Sequence, residues 1–465
     1  MNRILSILFL VVLMISCSEE SIESDAHVAV EKDMLDSLRV REGHFSIPRD
    51  SETYPDVELK SVLAEELEKI ENRNFEKEPN LRMVVNKGNR KKVMVHYMPW
   101  FLSKEYDGHW GQHWTMANRN PDEVDGNGNA QIASYYHPII GPYSSRDPHL
   151  QEYHFLLMKL AGVDGVIFDW YGSYDQHDYA NIKEATETFM AMLDDIGLEF
   201  SIMYEDQILN PNNVTDREEA LDRALTDFEY IKDTYLNRTN YQKENDRYII
   251  SVFGPSVLQD SGTWETIYGV FPDDKKPLLI SLWGAKSNFG QKVAGGEFLW
   301  VNHEHLFSHE YYYNNYPLDH ELTIGSSYPG FKSFYQEGGW SHGSNEWSIP
   351  INEGQTFFET LHYTHHEEEA DFIQIITWND FGEGTMIEPT TEFGTAFLKI
   401  LQDYTKVSVD ERDFHTAMRL YKARKDYLGN KRVQALLDNS YRYLKRLNVK
   451  RVDRIIAAVY RFYPK

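Results

Sequence analysis

The sequence predicts an α/β protein built as a (β/α)8 TIM barrel, with an N-terminal lipoprotein signal and tether before it and a C-terminal helical extension after it. Three observations lead there. Eight short apolar runs alternate with helical stretches from about Lys92 onward. Several of these runs empty into aromatics and carboxylates, and the 465 residues suit one barrel of about 250 to 350 residues with extensions. A doubly wound open sheet is the alternative arrangement of the same element order.

The runs are Val93 to Tyr97, Gly165 to Asp169, Phe200 to Tyr204, Tyr248 to Phe253, Leu278 to Leu282, Phe298 to Val301, Leu322 to Ser326 and Phe372 to Thr377. They are apolar on both faces, as strands of a parallel sheet covered by helices must be. After the first, Asp147-Pro148 reads as a helix cap followed by a first-turn proline, and Leu150, Tyr153, His154, Leu157 and Leu160 form the inner stripe. Similar stripes run over 182–196 and 221–235. The barrel is expected over 91–406.

The amino terminus reads as an export signal. Met1-Asn-Arg is a basic head, Ile4 to Ile15 an apolar stretch too short to span a bilayer comfortably, and Met14-Ile-Ser-Cys17 resembles a bacterial lipobox. Residues 1–17 are thus expected to be a signal peptide, with Cys17, the sole cysteine, as the lipidated first residue of the mature chain. Residues 18–90 follow as tether and N-terminal extension, polar up to about Pro55. The expected location is the bacterial outer membrane, with membrane contact through the lipid anchor only; the acidic Ser18-Glu-Glu20 resembles the surface-export signals of some Gram-negative lipoproteins, and the face of the membrane is left open.

At the other end, residues 407–465 form a basic extension. From Glu411 to Lys465 there are 15 Lys or Arg against five Asp or Glu, and two amphipathic helices are marked by Val433 to Leu447 and Val452 to Val459. Such a tail could touch anionic lipid; packing against the acidic remainder is the reading preferred.

Composition narrows function. A formal charge of −26 argues against nucleic acid, which needs a cationic face. Aromatic residues make up 14% of the chain, with 10 Trp and 30 Tyr, which suits sugar faces that stack on rings while their hydroxyls take hydrogen bonds.

Strand ends concentrate the chemistry. The first run ends in His96-Tyr-Met-Pro-Trp-Phe101, the second in Asp169-Trp-Tyr-Gly172, the third in Tyr204-Glu-Asp-Gln207, and the last in Trp378-Asn-Asp-Phe-Gly-Glu-Gly-Thr-Met-Ile-Glu388. Asp380 and Glu383, three residues apart among aromatics, form the kind of carboxylate pair that glycosidic bond cleavage requires. Tyr97, Trp100, Trp110, Trp114, Arg146, Asp169, Trp170, Tyr171, Glu205, Trp378, Asn379 and Glu388 are the expected substrate-binding residues. His109-Trp-Gly-Gln-His113 has the spacing of a zinc pair, but no Glu follows the first His. Asp125-Gly-Asn-Gly-Asn129 lacks the sixth-position glycine and bidentate Glu of a calcium loop and reads as a turn. No metal and no cofactor are expected.

Val95-His-Tyr-Met-Pro-Trp-Phe101, Gly141-Pro-Tyr-Ser-Ser-Arg-Asp-Pro148, Ala161-Gly-Val-Asp-Gly165 with Asp169-Trp-Tyr171, and Trp378 to Glu388 together resemble bacterial proteins grouped between glycoside hydrolase families 71 and 99. The likeness spans about residues 90 to 400. Family 99 resemblance implies a (β/α)8 endo-acting α-mannosidase or α-mannanase that retains anomeric configuration. It implies Glu383 as general acid and Asp380 as the base that helps the substrate's own 2-hydroxyl attack. Two departures bear on this. Asp380 stands where family 99 has Glu, shortening the reach by about 1.5 Å, and Phe381-Gly382 replaces the usual Trp-His. The Trp-Asn-Asp-Phe-Gly-Glu string is closer to family 71, whose members cut α-1,3-glucan with inversion.

The expectation is therefore a hydrolase of α-linked polysaccharide or glycan, endo-acting on an α-mannan-like or α-glucan-like substrate. The rival is a non-catalytic surface glycan-binding lipoprotein on the same scaffold, which the intact acid pair disfavours. A metal-dependent hydrolase would instead lose activity to a chelator.

Overall fold

The computed structural model describes residues 39–50, 52–72, 81–316, 319–340 and 347–465. The expected signal peptide and Cys17 lie outside the described residues. Eight parallel strands close into a barrel: β1 (Lys92–Tyr97), β2 (Gly165–Trp170), β3 (Glu199–Glu205), β4 (Arg247–Phe253), β5 (Leu278–Leu282), β6 (Ala294–Phe298), β7 (Leu322–Ser327) and β8 (Phe372–Ile375). Each pairs with its neighbours in chain order, and β8 returns to β1 with Val93 opposite Ile373.

Period-two alternation divides the strands between two cores. Met94, Ile167, Met203, Ile249, Ile280, Phe298, Ile324 and Phe372 point inward and fill the barrel. Val93, Val95, Val166, Phe168, Phe200, Ile250, Ile373 and Ile375 join the larger core beneath the helices. Both faces are buried, which is why these strands read as unbroken apolar runs.

The sixth strand corrects the sequence expectation. It lies at Ala294–Phe298, ahead of the anticipated 298–301, because its middle is Gly295-Gly296. Gly296 faces Leu322 across the seam with β7, and a Cβ there would lie 1.7 Å from the Leu322 carbonyl oxygen. The strand needs glycine for close approach, and so has little apolar signature.

Helices α2 (Pro148–Leu160), α3 (Tyr179–Ile196), α4 (Arg217–Tyr230) and α5 (Ser261–Tyr268) follow β1, β2, β3 and β4. The Asp147 carboxylate accepts the His149 amide at 2.9 Å and Pro148 opens α2, the cap its sequence encodes. Later turns carry α6 (His305–Asn315), α7 (Gln355–His366) and α8 (Ala396–Thr405).

Three further helices, α9 (Glu411–Asp426), α10 (Lys431–Leu444) and α11 (Val449–Phe462), pack on α2 and on α1 (Asp56–Glu71). Their basic residues meet acids of the chain itself. Arg424 grips the buried Glu152 with two bonds of 2.6 and 2.8 Å, and Lys445 meets Asp195 at 2.8 Å. The fully buried Glu66 accepts from Lys69, Tyr443 and Asn439 at 3.0 Å each and is paired with Arg451. The polar stretch expected to be a tether is, over 39–50, bonded to the barrel: the Val40 amide donates to the Glu353 carbonyl and that of Phe45 to Thr391. Its residues form main-chain bonds that an apolar pattern does not report. Among the described residues no helix is long and apolar enough to cross a membrane.

Candidate active site

The loop leaving β8 is built around its own side chains. The Thr377 hydroxyl accepts the Asp380 amide at 2.7 Å, and Asp380 Oδ1 accepts the Glu383 amide at 2.9 Å. Flanking elements bolt this turn down on both sides. Toward β1, the Trp378 amide donates to the His96 carbonyl at 2.7 Å, while Asn379 accepts from the Met98 amide at 2.8 Å and donates to its carbonyl at 3.0 Å. Toward β7, the Lys332 and Phe334 amides donate at 2.8 Å to the carbonyls of Glu383 and Gly382. That second clamp delivers Tyr335, whose hydroxyl donates to Glu383 Oε1 at 3.3 Å.

Four carboxyls converge at this end of the barrel. Asp380 is 2% exposed, Asp169 at the end of β2 4% and Glu205 at the end of β3 9%, so all three are largely cut off from water. Burial, then the neighbouring Asp380 charge, pushes Asp169 up to about 8. Burial and Asp169 hold Glu205 well above the usual range. Asp380 rises to about 7 through burial, opposed by the amides of Glu383 and Gly382. Glu383 rises to about 8 through burial and the Asp380 charge, opposed by the Tyr335 hydroxyl. Among the described residues no Lys or Arg is paired with any of the four. Carboxyls shifted this way can hold a proton near neutrality and deliver it.

Aromatic rings stand on two sides. Trp100 stacks on His113 with centroids 4.2 Å apart, His113 meets the exposed Trp340 edge-on, and Trp340 lies near Tyr335. Tyr171 is half-buried and lies within the field of Asp169 and Glu205. Opposite, half-buried Trp300 meets His96 and Phe253 edge-on at 4.8 and 4.9 Å.

Several expected binding residues sit behind this surface. Trp114, Trp170 and Trp378 have no exposed surface; the Trp114 indole donates to the Tyr143 carbonyl, and Trp170 is flanked by Tyr230 and Tyr235. Fully covered rings offer no face to a sugar. Tyr97, Asn379 and Glu388 belong to a buried network in which Tyr143 donates to Glu388 at 2.6 Å, Asn379 donates to Tyr143 at 3.2 Å and Tyr97 meets His154 at 3.0 Å. This network supports the wall that carries Asp380. Arg146 is engaged by Asp107 and Glu184, and Trp110 donates to Asp122.

Tyr335, Trp340 and Trp300 were not anticipated. The misplaced sixth strand hid Trp300, which stands two residues beyond the true strand end. Tyr335 lies eight residues past the end of β7, too far from the strand end for position to mark it. Of the histidines, His113 approaches Asp178 at 3.3 Å, and among the described residues no group of three or more His, Cys, Asp or Glu is arranged to hold a metal ion. Asp125 accepts the amides of Asn127 and Asn129, as a turn.

Fold and site thus define a closed parallel (β/α)8 barrel with a carboxyl cluster where strands of this architecture end. Residues 89–269 match the model of glycosyl hydrolase family 99. A glycoprotein endo-α-1,2-mannosidase-like protein of Danio rerio is 31% identical over 102 residues, covering 18% of this chain and 22% of that protein. The glycoprotein endo-α-1,2-mannosidase of Mus musculus is 24% identical over 159 residues, covering 32% and 33%. The chain therefore spans a third or less of the length of these curated relatives. A solved family 99 endo-α-mannosidase of Bacteroides thetaiotaomicron superposes with a TM-score of 0.53 at 17% identity, over 71% of this chain and 99% of that one. Over residues 89–269 this chain is similar to glycosyl hydrolase family 99.

Proposed function

We propose that the chain is a glycoside hydrolase that cuts an α-linked, α-mannan-like or α-glucan-like glycan at internal positions. The observation that carries this is the Asp380/Glu383 pair, held on a loop clamped from both sides and raised to about 7 and 8. Glu383, beside the Tyr335 hydroxyl and at the position the family 99 resemblance implies, is the general acid that protonates the leaving oxygen. Asp380 is the base that takes a proton from the attacking group, the sugar's own 2-hydroxyl or a water. Asp169 and Glu205 face the same space and accept from sugar hydroxyls. Likeness to proteins named endo-α-1,2-mannosidases favours mannose-type linkages.

Glu383→Gln should cut turnover by about 10² to 10⁴ with little loss of affinity, the usual worth of a general acid. Asp380→Asn should be comparably damaging. A substrate with a good leaving group should restore the Glu383 variant far more than the Asp380 variant. Parent-like turnover in both variants would remove the pair from the mechanism and leave a glycan-binding scaffold. Proton NMR of the first-formed anomer assigns retention or inversion.

The protein is further proposed to be exported and anchored to the outer membrane through Cys17. Cys17→Ser should release it from the membrane fraction with activity intact; unchanged partition sinks the anchor.

A further inference from the structure

A second concavity opens on the flank of the molecule, between the segment 46–50, the loop 139–147, α9 and α11, with a volume of about 780 Å³. That lies within the roughly 300–1,000 Å³ of small-molecule sites. Its walls differ in chemistry. Ile139, Ile140, Pro142 and Ile456 form an apolar side, while four cationic and five acidic side chains line the rest. These charges are largely matched. Lys425 meets Asp147 and Glu105 at 2.8 and 2.9 Å, Arg419 meets Asp453 at 2.7 Å, and Lys422 meets Asp426 at 3.1 Å.

One side chain stands ready for a ligand. Tyr460 is 38% exposed and its hydroxyl is fixed on Asp426 at 2.6 Å, so a held ring lines the cavity.

We propose that this flank cavity is a second carbohydrate-binding site, taking a short neutral oligosaccharide by its apolar faces on Tyr460 and the isoleucine wall and by its hydroxyls on the matched charges. An anion would have to break the ion pairs that hold Lys425, Arg419 and Lys422, and an apolar ligand would leave polar groups covered and unsatisfied. A sugar satisfies both walls. The site's role rests on the hydrolase reading: a polymer held at the flank raises its effective concentration at the barrel mouth. The two places are close in structural terms. Tyr143 lines the cavity, and its hydroxyl accepts from Asn379, the neighbour of Asp380.

The test uses the full chain. Ala457 lines the cavity and is half-buried, so Ala457→Trp fills it, while Tyr460→Ala removes the ring. Calorimetric titration of the Glu383→Gln protein with α-mannotetraose and maltotetraose should show two sites for one of these sugars. Either flank substitution should weaken one of them at least fivefold, and turnover of a short aryl α-glycoside by the Glu383-intact variants should match the parent. A single site unaffected by either substitution, or sulfated oligosaccharides binding the flank as well as neutral ones, overturns the proposal. Flank binding in a protein that hydrolyses no glycan would sustain it while refuting the hydrolase reading.

Discussion

The Tyr335 hydroxyl donates to Glu383 Oε1 at 3.3 Å, and it reaches there because the backbone of 332–334 is bonded to that of 382–383. A donor to a carboxylate favours the ionised form. Tyr335→Phe should therefore raise the Glu383 pKa further. If Glu383 must be protonated to act, the alkaline limb of the kcat/KM profile should move to higher pH, with a several-fold fall at its peak from lost positioning. An unmoved limb would show that Tyr335 only packs.

The carboxyl cluster should also leave a signature in stability. Asp169, Asp380 and Glu383 are raised to about 8, 7 and 8, against roughly 4 in an unfolded chain. Between those values the folded form binds more protons, so their contribution is complete below about pH 4 and is lost as pH rises through the folded values. Urea midpoints compared at pH 5 and 8.5 should show Asp169→Asn gaining on the parent at the higher pH. A pH-independent difference would contradict the proton accounting.

Tryptophans at the mouth and in the wall should respond oppositely. Trp300→Ala is expected to weaken glycan binding by about 1 kcal/mol, judged from aromatic-pair values, with a near-parental melting temperature. Trp170→Ala, which empties a fully buried site, should cost about 3 to 5 kcal/mol of stability. Melting curves beside affinities distinguish the two, and the reverse pattern would invert the assignment of the walls.

Arg424 is 3% exposed and holds the Glu152 carboxylate with two hydrogen bonds. Arg424→Met should cost about 3 to 5 kcal/mol, because it leaves a buried charge unpaired. Adding Glu152→Leu should recover much of the loss. Chemical denaturation of both variants checks this, and a double variant weaker than the single one would mean that packing, rather than the unpaired charge, sets the cost.

Seven strands were legible because burial on both faces writes a continuous apolar run, and the Asp147-Pro148 cap wrote the start of α2. The sixth strand was hidden by Gly295-Gly296, which serve close approach rather than burial. At the site, acids at the ends of β2, β3 and β8 could be read from position alone. Which aromatics face the space could not, because Trp170 and Trp300 look alike in sequence and differ only in what the helices cover. The tail's partners were equally unreadable: Glu66, Glu152 and Asp195 are ordinary acidic residues until α9, α10 and α11 fold onto them.

Gly296 gives the barrel its circumference. Any side chain there, alanine included, meets the Leu322 carbonyl oxygen and must wedge β6 from β7. Trp300 lies just past the end of β6, and the segment carrying Tyr335 follows β7, so such a wedge would widen the mouth without removing one reacting group. A barrel opened by that amount would keep its acids and lose their alignment, and its defect would be one of fit between a site and the sugar it holds.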